Sequence, residues 1–563
     1  MTGRAWTTAA VMALLAGCSP RQTTTAAVTP VVAPQAATAV NPALALGKQL
    51  YRTGIGASGQ PVKARIKGDL AEGAAIACAN CHLRSGFGAQ EGAQVAPPIA
   101  ADTLFQPVKL KFHGVEVQNG APRRPAYTPQ TLLTALRTGV DAAGKPLADG
   151  MPRFELTDAE AAALVAYLQS LSAEASPGVE AKSVHLATVV SDDVPAADRE
   201  AMLFALRKLV ALKNGQAELY DVNPHDRSAR MANVMLEGAT DVASKRLSLA
   251  VWALHGPRAS WPQQLAAYAK AEPVFALVGG IVAGSWQPVA AFAEEEGLPT
   301  LLPFAELPDA ATPGWYTLYA SDGVAQEGAG IAHFLLGDAL LTQPPAVWQL
   351  EGELPAAVQR GFASAWQDGG KPAVAPVQLT ADGLAAQVDR ALAAKPQTLL
   401  LWSGTETAAI LTQLAAHPNR PERVFIASGL QGDALLTLPE TARPWLYVAW
   451  PWRLPEKEPP LAAGIGTWMA APPAQVGERR YRIASMAYAA GLVLNNALME
   501  VRSKYTRDHL MDVVGMQKDL QPPSWPRLSF GPGQRLASKG CYIVQMAAGT
   551  SLKLEAKSAW LTH

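Results

Sequence analysis

Cysteine is scarce in this chain of 563 residues, and its scarcity excludes one class of exported protein. The four cysteines are Cys18, Cys78, Cys81 and Cys541, and only Cys78 and Cys81 form a close pair. Small domains held together by disulfides carry a much higher density of cysteine. The chain therefore does not have the pattern of a disulfide-linked scaffold.

An excess of positive charge is absent as well. Lysine and arginine together number 47, aspartate and glutamate also number 47, and no block of basic residues occurs. Proteins that bind nucleic acids normally carry a basic patch or stripe. Nothing in the composition therefore indicates a nucleic acid as a partner.

Motifs for nucleotide binding and catalysis are missing too. The turn VGGIVAGS has no G-x-G-x-x-G pattern with a suitably placed acidic residue, and no GK[ST] occurs. The nine histidines are scattered without paired metal-ligand spacing, and no Ser-His-Asp set can be proposed from spacing. We therefore expect a protein that is not an enzyme.

The N-terminus has the layout of an export signal. A short apolar run leads into Leu-Ala-Gly-Cys, ending at Cys18, which looks like a bacterial lipobox. On this resemblance residues 1–17 are a signal peptide, Cys18 is lipid-modified, and residues 18–42, rich in Thr, Ala and Pro, are a disordered tether. An ordinary cleaved signal with an incidental cysteine is the alternative.

No later apolar run reaches the roughly 20 residues of a transmembrane helix. Ser19, directly after Cys18, favours the outer membrane. We therefore expect a lipid-anchored periplasmic protein.

The pentapeptide CANCH, Cys78 to His82, fits three kinds of site: a redox pair, a metal half-site or a haem attachment site. A thioredoxin-like pair needs a strand–CxxC–helix setting, whereas segments rich in alanine and glycine flank CANCH. A zinc site needs a second Cys/His pair, and none lies at suitable spacing. In an exported chain Cys-x-x-Cys-His favours one covalently attached haem c.

A second iron ligand is expected from the opposite side of the haem, and a methionine suits an electron carrier. Met151 lies in a Gly-Met-Pro loop directly before a predicted helix. Thr157 and Glu160 have the spacing of a capping box at the start of that helix. An upstream segment, LALGKQLYRTGI, predicts a complementary helix. The apolar stripe predicted for the later helix consists of Leu164, Val165, Leu168 and Leu171.

This order of features resembles a class I cytochrome c, an all-α domain, over residues 43–173. The resemblance implies that Cys78 and Cys81 form thioethers to the haem, and that His82 and Met151 are the axial iron ligands. The alternative for Met151 is a methionine that fills a gap in the packing.

Two further features bear on the same site. The resemblance implies that a proline carbonyl, of Pro97 or Pro98, orients the ring of His82. His113 is the rival for the distal position, and it lies in residues 104–127, which exceed the length of the smallest cytochromes c.

After a short linker, residues 174–183, strand and helix patterns alternate. Apolar runs such as VHLATVV, LSLAVWAL, TLLLWSG and RVFIASG predict buried strands. Segments such as WPQQLAAYAKAE, TETAAILTQLAAH and SMAYAAGLVLNNALMEV, residues 485–501, predict helices. Repeated β–α units indicate parallel sheets covered by helices on both faces. Residues 184–563 are therefore expected to form a two-lobed α/β domain in a multidomain chain.

This second part resembles the type I periplasmic binding proteins, above all the receptors for branched-chain amino acids and amides. The stretches LVGGIVAGSWQPVAAFAEEEGLPTLLPFAE and WYTLYASDGVAQEGAGIAHFLL carry the resemblance. Two residues depart from it: Gly280 replaces the usual proline, and Trp286 is expected to crowd a loop where small hydroxyl residues meet the ligand. The resemblance implies a small polar ligand, such as an amino acid or amide.

Ligands of such lobes bind beyond the carboxyl ends of the strands. Eight side chains at these ends are candidate ligand contacts, although serine and threonine there also cap helices. The candidates are Trp252, Ser285, Trp286, Ser321, Asp322, Ser403, Thr405 and Ser428. Five tryptophans either line the cleft or support the core: Trp252, Trp286, Trp402, Trp450 and Trp452.

Together these features predict a membrane-anchored c-type cytochrome that carries electrons in the periplasm and is fused to a small-molecule receptor domain. A dehydrogenase or another cytochrome is the expected redox partner. Two alternatives stay open. One is the solute-binding component of an ABC importer with an accessory haem, and the other is a haem peroxidase-like enzyme.

Overall fold

A computed structural model describes residues 41–562 with ten internal gaps: 93, 109–110, 113–114, 117–123, 222–244, 310–311, 313, 458–477, 503 and 548–552. The predicted signal peptide, Cys18, nearly all of the tether and His113 lie outside the described residues. Among the residues described, none of the helices combines the length and apolar character needed to cross a membrane.

The N-terminal part is built on helices, as expected, and adds short strands, which the all-α class expected for this domain does not include. The strands β1 and β2 form a hairpin because Lys67 and Gly68 between them both have positive φ, and β7 pairs with β1. The elements are α1 (Pro42–Thr53), β1 (Lys63–Ile66), β2 (Asp69–Glu72), α2 (Cys78–His82), β3 (Ala89–Glu91), β4 (Gln94–Ala96), α3 (Ala101–Leu104), β5 (Lys111–Phe112), β6 (Val115–Glu116), α4 (Pro129–Thr138), β7 (Arg153–Glu155) and α5 (Asp158–Ser170).

Helix α5 begins with the capping box predicted from the sequence. The Thr157 hydroxyl accepts from the N–H of Glu160 at 3.3 Å, and the Glu160 carboxylate accepts from the N–H of Thr157 at 3.0 Å. Glu160 also accepts from the N–H of Ala57 at 2.9 Å, so the cap ties α5 to the loop after α1. The predicted apolar stripe is buried: Leu164, Val165, Leu168 and Leu171.

Helices α1 and α5 approach each other closely at Gly47. A Cβ atom at this position would overlap the carbonyl oxygen of Ala163 and lie 2.6 Å from Cβ of Tyr167. The rings of Tyr51 and Tyr167 pack one turn further on, with centroids 5.4 Å apart. The absent side chain at Gly47 therefore sets the distance between the two helices.

The second part has two lobes, each with its own sheet. In the first lobe the described strands follow the order β12-β11-β10-β8-β9, and neighbouring strands are parallel. Its elements are β8 (Ser183–Ser191), α6 (Ala196–Asp221), β9 (Arg246–Leu254), α7 (Trp261–Ala271), β10 (Ala276–Val278), α8 (Gln287–Glu295), β11 (Thr300–Leu301) and β12 (Thr317–Leu318).

The second lobe begins with a parallel sheet in the order β14-β13-β15-β16-β17. This agrees with the β–α pattern of the sequence. Its elements are α9 (Gly323–Leu336), β13 (Ala346–Leu350), α10 (Glu353–Asp368), β14 (Val377–Leu379), α11 (Leu384–Leu392), β15 (Thr398–Trp402), α12 (Thr407–Ala416), β16 (Arg423–Ala427) and β17 (Leu446–Trp450).

The chain then crosses between the lobes twice more. Helices α13 (Glu478–Val501) and α14 (Arg507–Met516) pack into the core of the first lobe. The last strands, β18 (Gly540–Met546), β19 (Leu554–Ala556) and β20 (Leu561–Thr562), return to the second lobe. Strand β18 pairs antiparallel with β17. The chain enters β18 from the first lobe, so the two strands are not joined by the β–α–β crossover that connects parallel neighbours.

We expect Gly47→Ala to destabilise the packing of α1 on α5 by about 1–3 kcal/mol, because the added methyl group must displace backbone. Hydrogen exchange of the α1 and α5 amides measures the loss locally. Gly215→Ala is a matched control, since Gly215 lies in helix α6 and a Cβ there meets nothing within 4 Å. Unchanged exchange in Gly47→Ala would show that the helices can move apart at no cost.

Candidate functional site

The two close cysteines lie on the short helix α2. Cys78 and Cys81 are three residues apart, so both side chains project from the same face of the helix. Cys78 is half-buried and Cys81 is exposed, and within the described residues neither forms a disulfide. The side chain of Asn80 donates to the carbonyl of Ala74 at 2.7 Å and fixes the helix against the preceding turn. Both thiols are thus held on one face of the helix, outside any disulfide.

His82 ends the same helix and has only 5 % of its surface exposed. Its Nδ1 lies 2.8 Å from the carbonyl oxygen of Pro97, which can only accept, so Nδ1 carries the hydrogen. Of the two prolines considered from the sequence, Pro97 is therefore the partner. Burial lowers the pKa of His82, with the Pro97 bond acting in the opposite direction, so the ring is neutral at neutral pH. Nε2 is then the nitrogen that can bind a metal.

Two glycines turn the chain so that Pro97 returns to His82. Gly86 and Gly88 have φ of +77° and +78°, in the left-handed region that side chains disfavour. A Cβ atom at Gly88 would overlap the carbonyl oxygen of Ala96. The N–H of Gly88 donates to the carbonyl of His82 at 3.0 Å, which closes the turn. The glycine-rich sequence after CANCH is therefore required by the geometry of the imidazole and its acceptor.

Met151 is half-buried and packs against the core of the N-terminal part. Its N–H donates to the carbonyl of Ala148 at 3.0 Å. The guanidinium of Arg153 donates to the carbonyl of Met151 and, at 3.3 Å, to that of Leu147. The loop that carries the thioether is thus held by both backbone and side-chain bonds. Because His113 is not described, the identity of the distal ligand stays a prediction.

A cavity of about 80 Å³ lies between the two lobes. Among the eight candidates, Ser321 and Ser428 line it, and Trp450 and Trp452 line it as well. Pockets that enclose small-molecule ligands typically measure roughly 300–1,000 Å³. A ligand as large as an amino acid therefore requires the lobes to separate.

The side chain of Arg479, at the start of α13, lines one side of the cavity. The Arg479 guanidinium is paired with Glu306 and, at 2.8 Å, with Asp198. Its backbone N–H donates to Asp433 of the second lobe at 2.9 Å. Burial acts to lower the pKa of Arg479, but the two carboxylates outweigh it and raise the pKa. Arg479 therefore stays charged and joins the two lobes.

A buried carboxyl group lies on the other side. Oε2 of Glu327 is 2.8 Å from the hydroxyl of Ser428, and Oε1 accepts from the N–H of Gly429 at 3.0 Å. Arg482 also lines the cavity, pairs with Glu478 at 2.6 Å, and lies over the ring of Trp450. The polar and charged groups of the cavity are thus largely paired with one another, and much of the remaining lining is apolar.

Sequence patterns miss the charged residues of this cavity. Helix α13 is predicted from residue 485, but the structure begins it at Glu478, so its polar first turns enter the cavity. The stretch ERRYR has no apolar period that would predict a helix. In the sequence, the only indication of this helix is its long apolar run, and that run does not show where the helix begins.

Trp252 and Trp286 do not line the cavity. Both are fully buried in the core of the first lobe, so neither can contact a ligand between the lobes. The prediction that Trp286 crowds the binding loop is wrong, because its ring turns inward and covers Gly280. A Cβ atom at Gly280 would lie 2.9 Å from the Trp286 ring and 2.8 Å from the carbonyl of Val189. The two residues that depart from the receptor pattern therefore fit each other, because glycine at position 280 leaves the space that the Trp286 ring fills.

The other four candidates are also separate from the cavity lining. Ser403 is buried and its hydroxyl lies 2.6 Å from that of Thr407, so it supports the start of a helix. Thr405 is exposed and bonds to its neighbour Glu406. Ser285 lines an open groove on the first lobe. Asp322 precedes α9, and burial raises its pKa to about 6.

The N-terminal part docks on the first lobe through charged and aromatic side chains. Arg52 of α1 donates to Asp508 of α14 at 2.6 Å, and both side chains are largely buried. The hydroxyl of Tyr316 donates to the same carboxylate at 2.6 Å. Lys504 pairs with Asp102 at the edge of the interface. Removing one partner of a buried ion pair is costly, because the other partner is left as an unpaired buried charge.

Two family models match the chain. A model described as periplasmic binding protein matches residues 260–550, more than half of the chain. The chain belongs to the periplasmic binding protein family. A model described as cytochrome c matches residues 45–172, so the N-terminal part is a cytochrome c domain, and such a domain holds a haem c. Both domain types indicate a periplasmic location.

The residues of the cytochrome c domain fit a haem c. Two thiols on one helical face suit two attachment points, and the neutral imidazole with its Nδ1 bonded to Pro97 suits an iron ligand. Cys541, the remaining described cysteine, is fully buried in the second lobe and packs as an apolar residue.

Several solved structures are similar to the periplasmic binding protein domain. A leucine-binding protein from Thermotoga maritima is 14 % identical, with a TM-score of 0.49, and the match covers 67 % of this chain and 99 % of that protein. A branched-chain amino acid ABC transporter protein from Thermus thermophilus with bound valine is 13 % identical, with a TM-score of 0.49 and coverage of 68 % and 97 %. A fatty acid ABC transporter substrate-binding protein from Thermomonospora curvata is 14 % identical, with a TM-score of 0.47 and coverage of 69 % and 95 %. Comparison with curated sequences finds no match.

Glu327 makes the stability of the periplasmic binding protein domain depend on pH. Burial raises the pKa of Glu327 to about 8, from an ordinary value of 4.5. Between these values the folded state keeps a proton that the unfolded state has released. The contribution of this group to the free energy of unfolding therefore falls as pH rises to about 8 and is constant above.

Glu327→Gln removes this titration, and its amide can still bond to Ser428 and Gly429. Between pH 5 and 8 we expect the wild-type free energy of unfolding to fall more steeply than that of the variant, by roughly 1.4 kcal/mol per pH unit. Urea unfolding at several pH values, followed by tryptophan fluorescence, measures the two slopes. Glu351→Gln, at an exposed position, is the control for loss of a carboxylate. Equal slopes for wild type and Glu327→Gln would contradict a buried proton on Glu327.

Proposed function

We propose that the protein is a periplasmic electron carrier whose single haem c is attached through Cys78 and Cys81 and ligated by His82 and Met151. The observation that carries the proposal is the hydrogen bond from Nδ1 of His82 to Pro97, directly beside the two thiols in a cytochrome c domain. This bond leaves Nε2 for iron and holds the ring in one orientation.

The haem c, when bound, supplies a one-electron couple whose potential depends on its ligands and surroundings. The protein supplies orientation: α2 holds the thiols, Pro97 holds the imidazole, and Arg153 holds the loop of Met151. With His82 and Met151 as its ligands, the iron would have no position open for a substrate. Electron transfer is therefore favoured over a peroxidase-like reaction.

The periplasmic binding protein domain, in this proposal, binds a small polar ligand such as an amino acid or amide in the cavity between the lobes. Ser321, Ser428 and the charged groups of α13 are the contacts available there. Opening requires two contacts between the lobes to separate: the exposed pair of Arg258 with Glu353, and the hydrogen bond from the N–H of Arg479 to Asp433. An exposed pair contributes about 1 kcal/mol or less, so it does not prevent opening.

We further propose that Cys18 carries a lipid that holds the protein at the outer membrane. Residues 18–42 then act as a tether for a cytochrome domain at 43–173, a linker at 174–183 and the receptor domain at 184–563. A periplasmic dehydrogenase or another cytochrome is the proposed redox partner.

Mass spectrometry of the protein purified from its own periplasm tests haem attachment. We expect the mass of one haem to persist under denaturing conditions and to be lost when Cys78 and Cys81 are both replaced by alanine. Cys541→Ala is the matched control and should keep the haem mass. A wild-type mass without haem would overturn the cytochrome function, and an additional small mass lost on denaturation would identify the ligand.

Carbon monoxide tests the distal ligand. The reduced wild-type protein should resist carbon monoxide, whereas Met151→Ala should bind it, because loss of the thioether opens a position at iron. Met499→Ala removes an exposed methionine of the other domain and should behave as wild type. If His113→Ala binds carbon monoxide and Met151→Ala does not, His113 is the ligand; rapid binding by the wild type would instead favour the peroxidase-like alternative.

A further inference from the structure

Helix α14 of the periplasmic binding protein domain lies against the segment that directly follows His82. This segment, residues 83–87, is called the proximal loop here. The ring of Phe87 and the imidazole of His509 on α14 are 4.4 Å apart between centroids. The guanidinium of Arg84 lies 3.8 Å from the centroid of the Trp315 ring. The receptor domain therefore packs against the segment next to the proposed iron ligand.

Asp512 of α14 binds the backbone of the proximal loop. Its Oδ2 accepts from the N–H of Ser85 at 2.8 Å, and its Oδ1 lies 3.4 Å from the backbone nitrogen of Arg84. Ser85 is fully buried and Asp512 is 5 % exposed, so water cannot easily replace the carboxylate. A buried N–H without an acceptor is costly. The bond is therefore a strong constraint on the loop.

Ser85 is held at its carbonyl as well. The hydroxyl of Ser172 donates to that carbonyl at 2.8 Å. The next residue, Gly86, accepts from the N–H groups of Ile99 and Ala100 at 2.7 and 3.0 Å, just after Pro97. The contact with Asp512 thus belongs to the same network of bonds that brings Pro97 to His82.

We propose that Asp512 is a positioning residue for the haem, through which the receptor domain sets the reduction potential. The inference rests on the proposed function, because it needs a haem ligated by His82. It assigns to the periplasmic binding protein domain a direct part in the environment of the haem, beyond binding a ligand of its own.

Two effects of Asp512 act on the potential. Its hydrogen bond to Ser85 keeps the proximal loop, and with it the acceptor of His82, in one arrangement. Its negative charge favours the oxidised haem, which carries one more positive charge than the reduced form. Burial raises the pKa of Asp512 to about 6, so the carboxylate is ionised at pH 8.

Potentiometric titration at pH 8 and hydrogen exchange of Ser85 separate these effects. Asp512→Asn removes the charge and keeps an oxygen acceptor, so we expect a more positive potential with wild-type exchange at Ser85. Asp512→Ala removes both, so we expect a more positive potential and exchange at Ser85 about tenfold faster or more. Wild-type potentials in both variants would overturn the proposal.

Asp508→Asn is the matched control. Asp508 lies one turn earlier on α14 and binds Arg52 and Tyr316, not the proximal loop. Removing its charge should leave exchange at Ser85 at the wild-type rate and shift the potential less than Asp512→Ala. If Asp508→Asn reproduces both changes of Asp512→Ala, Asp512 acts only through domain docking and the proposal fails.

The failure of the proposed function would be recognised separately. A protein that carries no haem mass after denaturation overturns the electron-carrier function before any potential is measured. A protein that carries haem, but whose Asp512→Ala variant keeps the wild-type potential, overturns the positioning role alone.

Discussion

The hydrogen bond between His82 and Pro97 is the constraint around which the cytochrome c domain is arranged. An imidazole can offer Nε2 to a metal in a fixed orientation only when an acceptor holds Nδ1–H. The carbonyl of Pro97 reaches Nδ1 because Gly86 and Gly88 adopt left-handed conformations. The periplasmic binding protein domain contacts the same turn, because Asp512 accepts a hydrogen bond from the N–H of Ser85. The turn that brings Pro97 to His82 is therefore also bonded to a residue more than 400 positions away in the chain.

Features that depend on neighbouring residues are predictable from the sequence here. The Thr157 and Glu160 capping box, the buried stripe of α5 and the strand predicted at 247–254 and observed at Arg246–Leu254 all follow from short-range patterns. The chemistry of CANCH is predictable for the same reason, because the two thiols and the imidazole lie within one and a half turns of helix. The resemblance to a class I cytochrome c narrows the acceptor of the His82 imidazole to two candidates, Pro97 and Pro98.

Features that depend on tertiary packing are not predictable in this way. Trp286 follows a strand, where a ligand contact is expected, but its ring fills the space left by Gly280 and belongs to the core. The cavity is lined by strand-end residues such as Ser321 and Ser428 and also by the polar first turns of α13, which the rule about strand ends does not cover. The role of Asp512 is equally unpredictable from the sequence, because nothing in the residues around it indicates that the backbone N–H of Ser85 requires an acceptor.

The domain contacts limit how ligand binding could be coupled to electron transfer. The contacts of the cytochrome c domain discussed above fall on the first lobe: Trp315, Tyr316, Lys504 and helix α14. Separation of the lobes would therefore leave the haem domain in place on the first lobe. Helix α13 begins at the cavity and its 24 residues span about 36 Å before α14 follows. Two connections therefore lead from the cavity to the cytochrome c domain: helices α13 and α14, which reach the proximal loop through Asp512, and strand β12, which lies between Ser321 and Tyr316.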